Sequence, residues 1–240
     1  MRLSDHSVLT FDCYGTLIDW ETGITDALAP WLARAGLSPE RDEILEAFAR
    51  AEAAQEAAAP GMLYPQILAR VHSSIAEDFK IASDPRDAAA FGASVKHWPA
   101  FPDSADALAY LKQHFKLVIL SNIDRASFAH SNAKLAVQFD AIYTAQDIGS
   151  YKPDPRNFTY LLDHLKDLGL EKDRILHTAE SLHHDHIPGK AAGLHTCWIH
   201  RRAGKRGHGA TSIPDQEVRP DFRFESMAAM AEAHRDELGA

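Results

Sequence analysis

The chain has few cysteines, no excess of positive charge and no long apolar run. Its two cysteines, Cys13 and Cys197, lack the spacing of a zinc site or disulfide framework, so both are expected to be buried free thiols. The net charge of -9 argues against nucleic acid or anionic membranes as partners. No segment approaches the roughly 20 apolar residues of a membrane span, and the N-terminal stretch lacks the apolar core of a secretion signal. We expect a cytoplasmic protein, monomeric or homodimeric, that binds neither nucleic acid nor membranes.

Short apolar runs alternate with helical patterns over the second half of the chain. Buried strands are predicted at 7–11, 116–120, 139–143, 175–178 and 196–199. Helices are predicted at 104–114, 127–134, 155–168 and 189–192. This alternation is typical of an α/β fold with a doubly wound parallel sheet.

Residues 22–97 differ, because they are alanine-rich and amphipathic and contain no strand pattern. We therefore divide the chain into a core of residues 1–19 and 98–240 and a helical cap of residues 20–97. Such a cap can close over a site and exclude water, although a permanent helical layer on the core is an alternative. The basic, glycine-rich segment 201–219 predicts a long surface loop, either solvated or reaching the mouth of the site.

Polar side chains follow several of the predicted strands. Ligands of an open parallel sheet bind beyond the carboxyl ends of its strands, where Asp12, Ser121–Asn122 and Glu180–Ser181 would converge. Asp12 precedes a Gly15–Thr16 turn, whose backbone N–H groups would favour the ionised carboxylate. A carboxylate positioned in this way can attack carbon or phosphorus and form a covalent intermediate.

A lysine and a second carboxylate are expected near Asp12. Pro153 restricts Lys152 to an extended backbone, and an ammonium group beside Asp12 would keep it ionised. Asp185 could bind a divalent cation with Asp12, activate water, anchor Lys152 or simply cap a helix. The histidines at 183, 184 and 186 surround Asp185, but adjacent histidines in one loop rarely converge on a single ion.

Four segments, FDCYGTL, LVILSN, SYKPDP and AESLHHDHIPGKAAG, occur in this order. Together they resemble the haloacid dehalogenase superfamily, whose Rossmann-like core they span from about 8 to 200. The helical insertion stands where that superfamily has its cap. The chain is most similar to type II 2-haloacid dehalogenases, because Tyr14 stands where phosphatase members carry a second aspartate. Halide leaves without a proton, whereas the leaving oxygen of a phosphate ester benefits from protonation.

The resemblance implies a role for each residue of the core site. Asp12 would displace halide from carbon and form an ester. Thr16 and Ser121 would orient Asp12 or the carboxylate of the substrate, and Asn122 would help to cradle the halide. Lys152 would stabilise the nucleophile.

Asp185 would hold Lys152 and position the hydrolytic water. The resemblance also implies a cap arginine that approaches the substrate, for which Arg50 is the first candidate and Arg41 the second. The remaining residues expected at the substrate are Tyr14, Glu180, Ser181 and His184. Dehalogenases of this type are similar in needing no metal or other cofactor.

The leading hypothesis is a metal-independent hydrolase that cleaves the carbon–halogen bond of small anionic 2-haloacids through an aspartyl ester. Glu180 resembles the first acidic residue of the phosphatase-type segment, so a Mg²⁺-dependent phosphatase of small phosphate esters is the alternative. Asp12, the Tyr14 carbonyl and Glu180 or Asp185 would then bind the ion. The water-positioning asparagine of the dehalogenases is missing, so water activation by His184 or Glu180 is a hypothesis. A third reading is a non-catalytic binding module.

Overall fold

A six-stranded, all-parallel sheet forms the centre of the computed structural model, which describes residues 1–214 and 216–239. The strand order is β3-β2-β1-β4-β5-β6. The strands are β1 (Val8–Phe11), β2 (Lys116–Ser121), β3 (Ala141–Thr144), β4 (Ile175–Ala179), β5 (His195–Ile199) and β6 (Phe222–Phe224). The chain leaves the central β1 first toward β2 and β3 and later toward β4, β5 and β6. This reversal confirms the predicted doubly wound sheet and creates a crevice at the carboxyl ends of its central strands.

Helices flank the sheet and fill the interval between β1 and β2. They are α1 (Trp20–Arg34), α2 (Arg41–Ala58), α3 (Tyr64–Asp78), α4 (Pro85–Gly92), α5 (Ser104–Leu111), α6 (Arg125–Leu135), α7 (Ala145–Ile148), α8 (Arg156–Asp167), α9 (Ile187–Ala191) and α10 (Met227–Gly239). The first four make up the predicted helical insertion, while its limits at 20 and 97 stay a prediction. None of the described helices has both the length and the apolar character needed to cross a bilayer.

The sheet separates two apolar layers. On one face, Val8, Val118 and Leu120 pack with side chains of α8 such as Leu161. On the other face, a larger cluster begins at the sheet and continues through α1, α2 and α3. Because side chains alternate across a strand, β1 and β2 contribute to both layers. The inserted helices are therefore tied to the sheet by one continuous apolar core.

The segment after β5 departs from a simple solvated loop. Arg201 donates to the carboxylate of Asp103 at 2.8 Å and to the carbonyl of Thr16 at 2.9 Å. Arg202 is buried and donates to both carboxylate oxygens of Glu21 at 2.7 Å. Of the two interpretations of this segment, the structure supports the one in which it reaches the site. Both cysteines are buried and unpaired, as predicted.

Candidate active site

The polar residues at the strand ends surround one small cavity, here called the Asp12 cavity, with a volume of about 40 Å³. Its wall combines loops after β1, β2 and β4 with α2 and α3 of the helical insertion. The lining residues are Asp12, Tyr14, Trp20, Glu52, Glu56, Tyr64, Asn122, Lys152, Glu180, Ser181, His184, Asp185 and Thr211. Since a water needs on the order of 10–15 Å³ measured in this way, there is space only for a small ligand.

Lys152 joins the two aspartates of the cavity. Its ammonium group donates to Asp12 Oδ1 at 2.9 Å, to Asp185 Oδ1 at 2.6 Å and to the carbonyl of Leu120 at 3.0 Å. These three acceptors match the three hydrogens of an ammonium group. The other oxygen of Asp12 accepts the hydroxyl of Thr16 at 2.8 Å. The structure thus brings Lys152, Asp185 and Thr16 together around Asp12.

The charges of this group depend on each other. Burial raises the pKa of the Asp12 carboxyl, while the ammonium of Lys152 and the hydroxyl of Thr16 oppose that rise. Burial would lower the pKa of Lys152, but the two carboxylates outweigh it and the pKa lies above its usual value. Burial would likewise raise the pKa of Asp185, yet Lys152 and His177 hold it well below its usual range. An ammonium between two carboxylates is the stable arrangement.

His177, which the sequence analysis did not single out, holds the carboxylate of Asp185 in place from the neighbouring strand β4. Its Nε2 lies 2.9 Å from Asp185 Oδ1, and its Nδ1 lies 2.8 Å from the hydroxyl of Thr10. All three side chains are almost completely buried. A histidine within a strand expected to be buried was the available signal, because a buried polar group needs a partner.

One backbone conformation and one side-chain hydroxyl hold the loop after β1. Gly15 has a φ of +88°, a conformation that residues with a side chain rarely adopt. Thr16 then accepts the N–H of Glu180 at 2.9 Å while its own hydroxyl donates to Asp12. The loops after β1 and β4 are thereby locked together, which orients the carboxylate of Asp12.

Asn122 fixes the loop that carries Lys152. Its Oδ1 accepts the backbone N–H of Lys152 at 2.7 Å, and its Nδ2 donates to the carbonyl of the same residue at 3.0 Å. Asn122 also lines the Asp12 cavity. Ser121, in contrast, is buried, does not line the cavity, and its hydroxyl has no hydrogen-bond partner among residues 1–214 and 216–239.

Tyr14 lines the cavity but cannot replace the second aspartate of a phosphatase. Its hydroxyl lies 2.9 Å from the hydroxyl of Ser131, and its ring packs edge-on against Trp98. Burial raises the pKa of Tyr14 well above its usual value. This residue therefore stays neutral and directs its polar atom at α6.

The turn after β4 contributes a neutral acid and a neutral histidine. Burial raises the pKa of Glu180 to about 8, and its Oε2 accepts the hydroxyl of Thr211 at 2.7 Å. Burial lowers the pKa of His184 to about 4, so its imidazole is uncharged near neutral pH. The Nδ1 of His184 lies 3.2 Å from the hydroxyl of Ser181, which also accepts the backbone N–H of His184.

Arg50, the first candidate for an arginine that approaches the substrate, does not line the Asp12 cavity. Its guanidinium pairs with Asp78 at 3.2 Å, and both side chains are more than half exposed. Arg41 instead donates to the hydroxyls of Thr22 and Thr25. Within the part of the chain that the structure describes, no arginine lines the cavity.

The helical insertion supplies carboxyl groups instead. Glu52 and Glu56 of α2 lie one helical turn apart and line the cavity. Glu52 accepts the hydroxyl of Tyr64, and Glu56 accepts Nδ2 of Asn122 at 3.4 Å. Burial raises the pKa of Glu52 to about 7 and that of Glu56 well above its usual value. Their spacing from the buried Phe48, four and eight residues, could have revealed them in the sequence.

The sequence matches the family of haloacid dehalogenase-like hydrolases over residues 6–193, well over half of the chain. The chain belongs to that hydrolase family. No match was found among curated protein sequences.

Solved structures with the same fold cover nearly all of this hydrolase. The L-2-haloacid dehalogenase PA0810 is 21% identical with a TM-score of 0.75, covering 98% of this chain and 100% of its own. The HAD-hydrolase YfnB from Bacillus subtilis, bound to magnesium, is 18% identical with a TM-score of 0.74 and the same coverage. The L-2-haloacid dehalogenase from Xanthobacter autotrophicus with chloropropionic acid covalently bound is 19% identical with a TM-score of 0.73, covering 96% and 98%. At these low sequence identities, the structural similarity shows that the fold is shared.

The donor set of this hydrolase does not fit a magnesium ion. Asp12 and Asp185 both direct an oxygen at Lys152, whose ammonium occupies the position between them. Glu180, the other acidic residue considered as a ligand, already accepts the hydroxyl of Thr211 through Oε2 at 2.7 Å. Among the described residues, no group of three or more histidine, cysteine, aspartate or glutamate side chains is arranged to hold a metal ion.

Proposed function

We propose that this hydrolase cleaves the carbon–halogen bond of small 2-haloacids through a covalent ester on Asp12, without a metal ion. The observation that carries the proposal is the Asp12 carboxylate, held by Lys152 and Thr16, with Tyr14 in place of a proton-donating carboxyl two residues later. A leaving group that needs no proton suits this arrangement.

The first step forms the ester. A carboxylate oxygen of Asp12 attacks the carbon that bears the halogen, a carbon–oxygen bond forms, and the halide departs with the electron pair of the broken bond. Lys152 keeps the carboxylate ionised and in place before the attack. Asn122, whose amide lies in the wall of the cavity, is positioned to donate to the departing halide.

The second step hydrolyses the ester. Water attacks the carbonyl carbon of the Asp12 ester, and the bond between that carbon and the substrate oxygen breaks, so that a 2-hydroxyacid leaves and Asp12 is restored. His184 lines the cavity in its neutral form and can take a proton from this water and return it to the departing alkoxide oxygen of the 2-hydroxyacid, with Ser181 holding its Nδ1. Structural neighbours support the scheme, because one of them was solved with chloropropionic acid covalently bound.

A decisive test of the ester is a single turnover of 2-chloropropionate in H₂¹⁸O with a chelator present. Chloride should be released, and one ¹⁸O atom should appear in the carboxylate of Asp12 because water attacks that carboxyl carbon. Asp12→Asn should release no chloride. Label found only in the lactate product would refute the ester, and release that stops on chelation would refute the metal-independent mechanism.

His184→Ala tests the second step separately. We expect one equivalent of chloride to be released quickly, followed by slow turnover at least about a hundredfold below the wild-type rate, with the Asp12 adduct visible by intact mass. His183→Ala changes the neighbouring histidine, which does not line the cavity, and should turn over normally. An adduct that fails to accumulate in His184→Ala would remove His184 from this role.

The alternative, a phosphatase, is favoured by one observation. Glu180 lies in the same cavity and keeps its proton up to about pH 8, so it could protonate the leaving oxygen of a phosphate ester. Phosphate release from small phosphate esters that requires Mg²⁺ and Glu180, without any halide release, would select this function.

A further inference from the structure

The segment after β5 carries a residue that lies between the Asp12 cavity and a second cavity. This second cavity, here called the α2 groove, has a volume of about 440 Å³. Ala49 and Ala53 of α2 line it together with Ile213 of the segment after β5. Among the described residues, Thr211 alone lines both cavities. The side chain of Thr211 therefore lies where the two spaces meet.

The helix α2 borders both cavities, with different residues toward each. Glu52 and Glu56 line the Asp12 cavity, whereas Ala49 and Ala53 line the α2 groove. Residues three apart are neighbours on a helix surface, so each alanine lies beside one of the glutamates. The two cavities are therefore adjacent along α2.

A hydrogen bond and an ion pair hold Thr211 in this position. Its hydroxyl donates to Oε2 of Glu180 at 2.7 Å. The residue before it is fixed to α1, because the backbone N–H of Ala210 donates to Oε1 of Glu21 at 3.2 Å. Arg202, near the start of the same segment, donates to both carboxylate oxygens of Glu21 at 2.7 Å. The side chain of Thr211 is thus a fixed part of the cavity wall.

The Asp12 cavity is too small for a 2-haloacid with a long side chain. Its volume of about 40 Å³ corresponds to roughly three water molecules. The α2 groove is much larger, and Ala49, Ala53 and the exposed Ile213 give part of it an apolar lining that suits an alkyl chain. The space that a longer substrate needs therefore exists beside the Asp12 cavity, but on the far side of Thr211.

We infer that the side chain of Thr211 sets the longest substrate that the enzyme accepts. 2-Haloacids of two or three carbons fit beside Asp12, whereas longer acids collide with the branched side chain of Thr211. The inference rests on the proposed carbon–halogen cleavage and narrows its substrate class to short-chain acids. Thr211 selects substrates by size and takes no part in the chemistry.

The test compares 2-bromopropionate with 2-bromohexanoate, which is longer by three methylene groups. Bromide release gives kcat/KM for each acid, with Asp12→Asn as the blank. The wild-type enzyme should have a kcat/KM at least about tenfold lower for 2-bromohexanoate, because forcing extra methylene groups into a filled cavity is unfavourable. In Thr211→Ala, that kcat/KM should rise about tenfold or more, while the value for 2-bromopropionate should change by less than about threefold.

Two variants are matched controls. Thr211→Val replaces the hydroxyl by a methyl group of similar size, so the wall stays closed and the preference for the short acid should persist. Ser212→Ala changes the next residue, which lines the α2 groove but not the Asp12 cavity, and should also leave the preference unchanged. A general loss of folding lowers both kcat/KM values together, so their ratio reports substrate selection alone.

Other outcomes separate this inference from the proposed function. Equal kcat/KM values for the two acids in the wild-type enzyme would overturn the inference and leave carbon–halogen cleavage standing. An unchanged ratio in Thr211→Ala would also overturn it, as would a ratio that shifts as far in Thr211→Val as in Thr211→Ala. If neither acid releases bromide in an Asp12-dependent way, the proposed function itself fails, and the inference with it.

Discussion

Lys152 is a single buried cation shared by two carboxylates. Its removal should lower both the free energy of unfolding and the rate of halide release. In Lys152→Met, Asp12 and Asp185 would face each other inside the protein without a counter-charge. Removing one partner of a buried ion pair typically destabilises by about 3–5 kcal/mol. We expect the free energy of unfolding, measured in urea, to fall by that order, and halide release to fall at least about a hundredfold.

Lys166→Met is the control for this change, because Lys166 is an exposed lysine of α8. It should alter neither measurement. Near-normal halide release by Lys152→Met would show that Asp12 needs no cationic neighbour, which contradicts the electrostatic basis of the site.

The sequence could predict Asp12, Lys152 and Asp185 as neighbours because each follows a strand of a parallel sheet, whose carboxyl ends share one edge. It could not predict the third hydrogen bond of Lys152, to the Leu120 carbonyl, because that depends on the packed position of β2. His177 was missed for the same reason, since its role depends on the neighbouring strand rather than on its own segment.

At the scale of helices and strands, α1 packs very closely on Trp98. A Cβ atom at Gly23 would lie 2.2 Å from Cγ of Trp98, the residue that follows the helical insertion. Gly23→Ala would therefore force α1 and Trp98 apart. Overpacking of this kind costs about 1–3 kcal/mol, so the urea midpoint should fall accordingly.

Gly61→Ala is the comparison, since an added Cβ there meets nothing within 4 Å. It should not lower the midpoint. Equal stability of the two variants would mean that α1 can shift away from Trp98 freely, and that the insertion is not fixed at this contact.

Helical period explains why Glu52, and not Arg50, lines the Asp12 cavity. Arg50 follows the buried Phe48 by two positions, which places it on the opposite face of the helix, whereas Glu52 follows by four and shares the buried face. The resemblance to dehalogenases implied an arginine in the cap and so pointed to Arg50. The helical period of α2 points to Glu52 instead. The strand β6 was missed because three residues carry too little pattern to distinguish a strand from a loop.

For the whole molecule, buried acids make stability depend on pH in an unusual direction. Glu180 keeps its proton up to about pH 8 when folded, but would lose it near its usual pKa of 4.5 when unfolded. Between these values the folded chain binds more protons than the unfolded chain. Glu180 therefore contributes a free energy of unfolding that falls as pH rises through this window, by up to about 1.4 kcal/mol per pH unit. The buried, neutral His184, whose pKa is lowered from 6.5 to about 4, contributes the opposite sign below about pH 6.5, so the effect of Glu180 is read from the difference between two variants.

Urea unfolding at pH 5, 6, 7 and 8 checks this expectation. Glu180→Gln cannot titrate, so its stability should decline less steeply than that of the wild-type protein. Glu52, with a pKa of about 7, should contribute the same sign over the lower part of the range. Equal slopes for the wild-type protein and Glu180→Gln between pH 5 and pH 8 would contradict the burial of Glu180 as a neutral acid.

The position of Trp20 has an optical consequence. Its indole forms part of the wall of the Asp12 cavity, and an added Cβ at Gly15 would lie 3.0 Å from its Nε1, so this ring borders the loop after β1. Indole emission changes when the polarity around the ring changes. A molecule entering the cavity displaces whatever surrounds this face of Trp20, so the intrinsic fluorescence of the protein can report occupancy without an added dye or a chemical turnover.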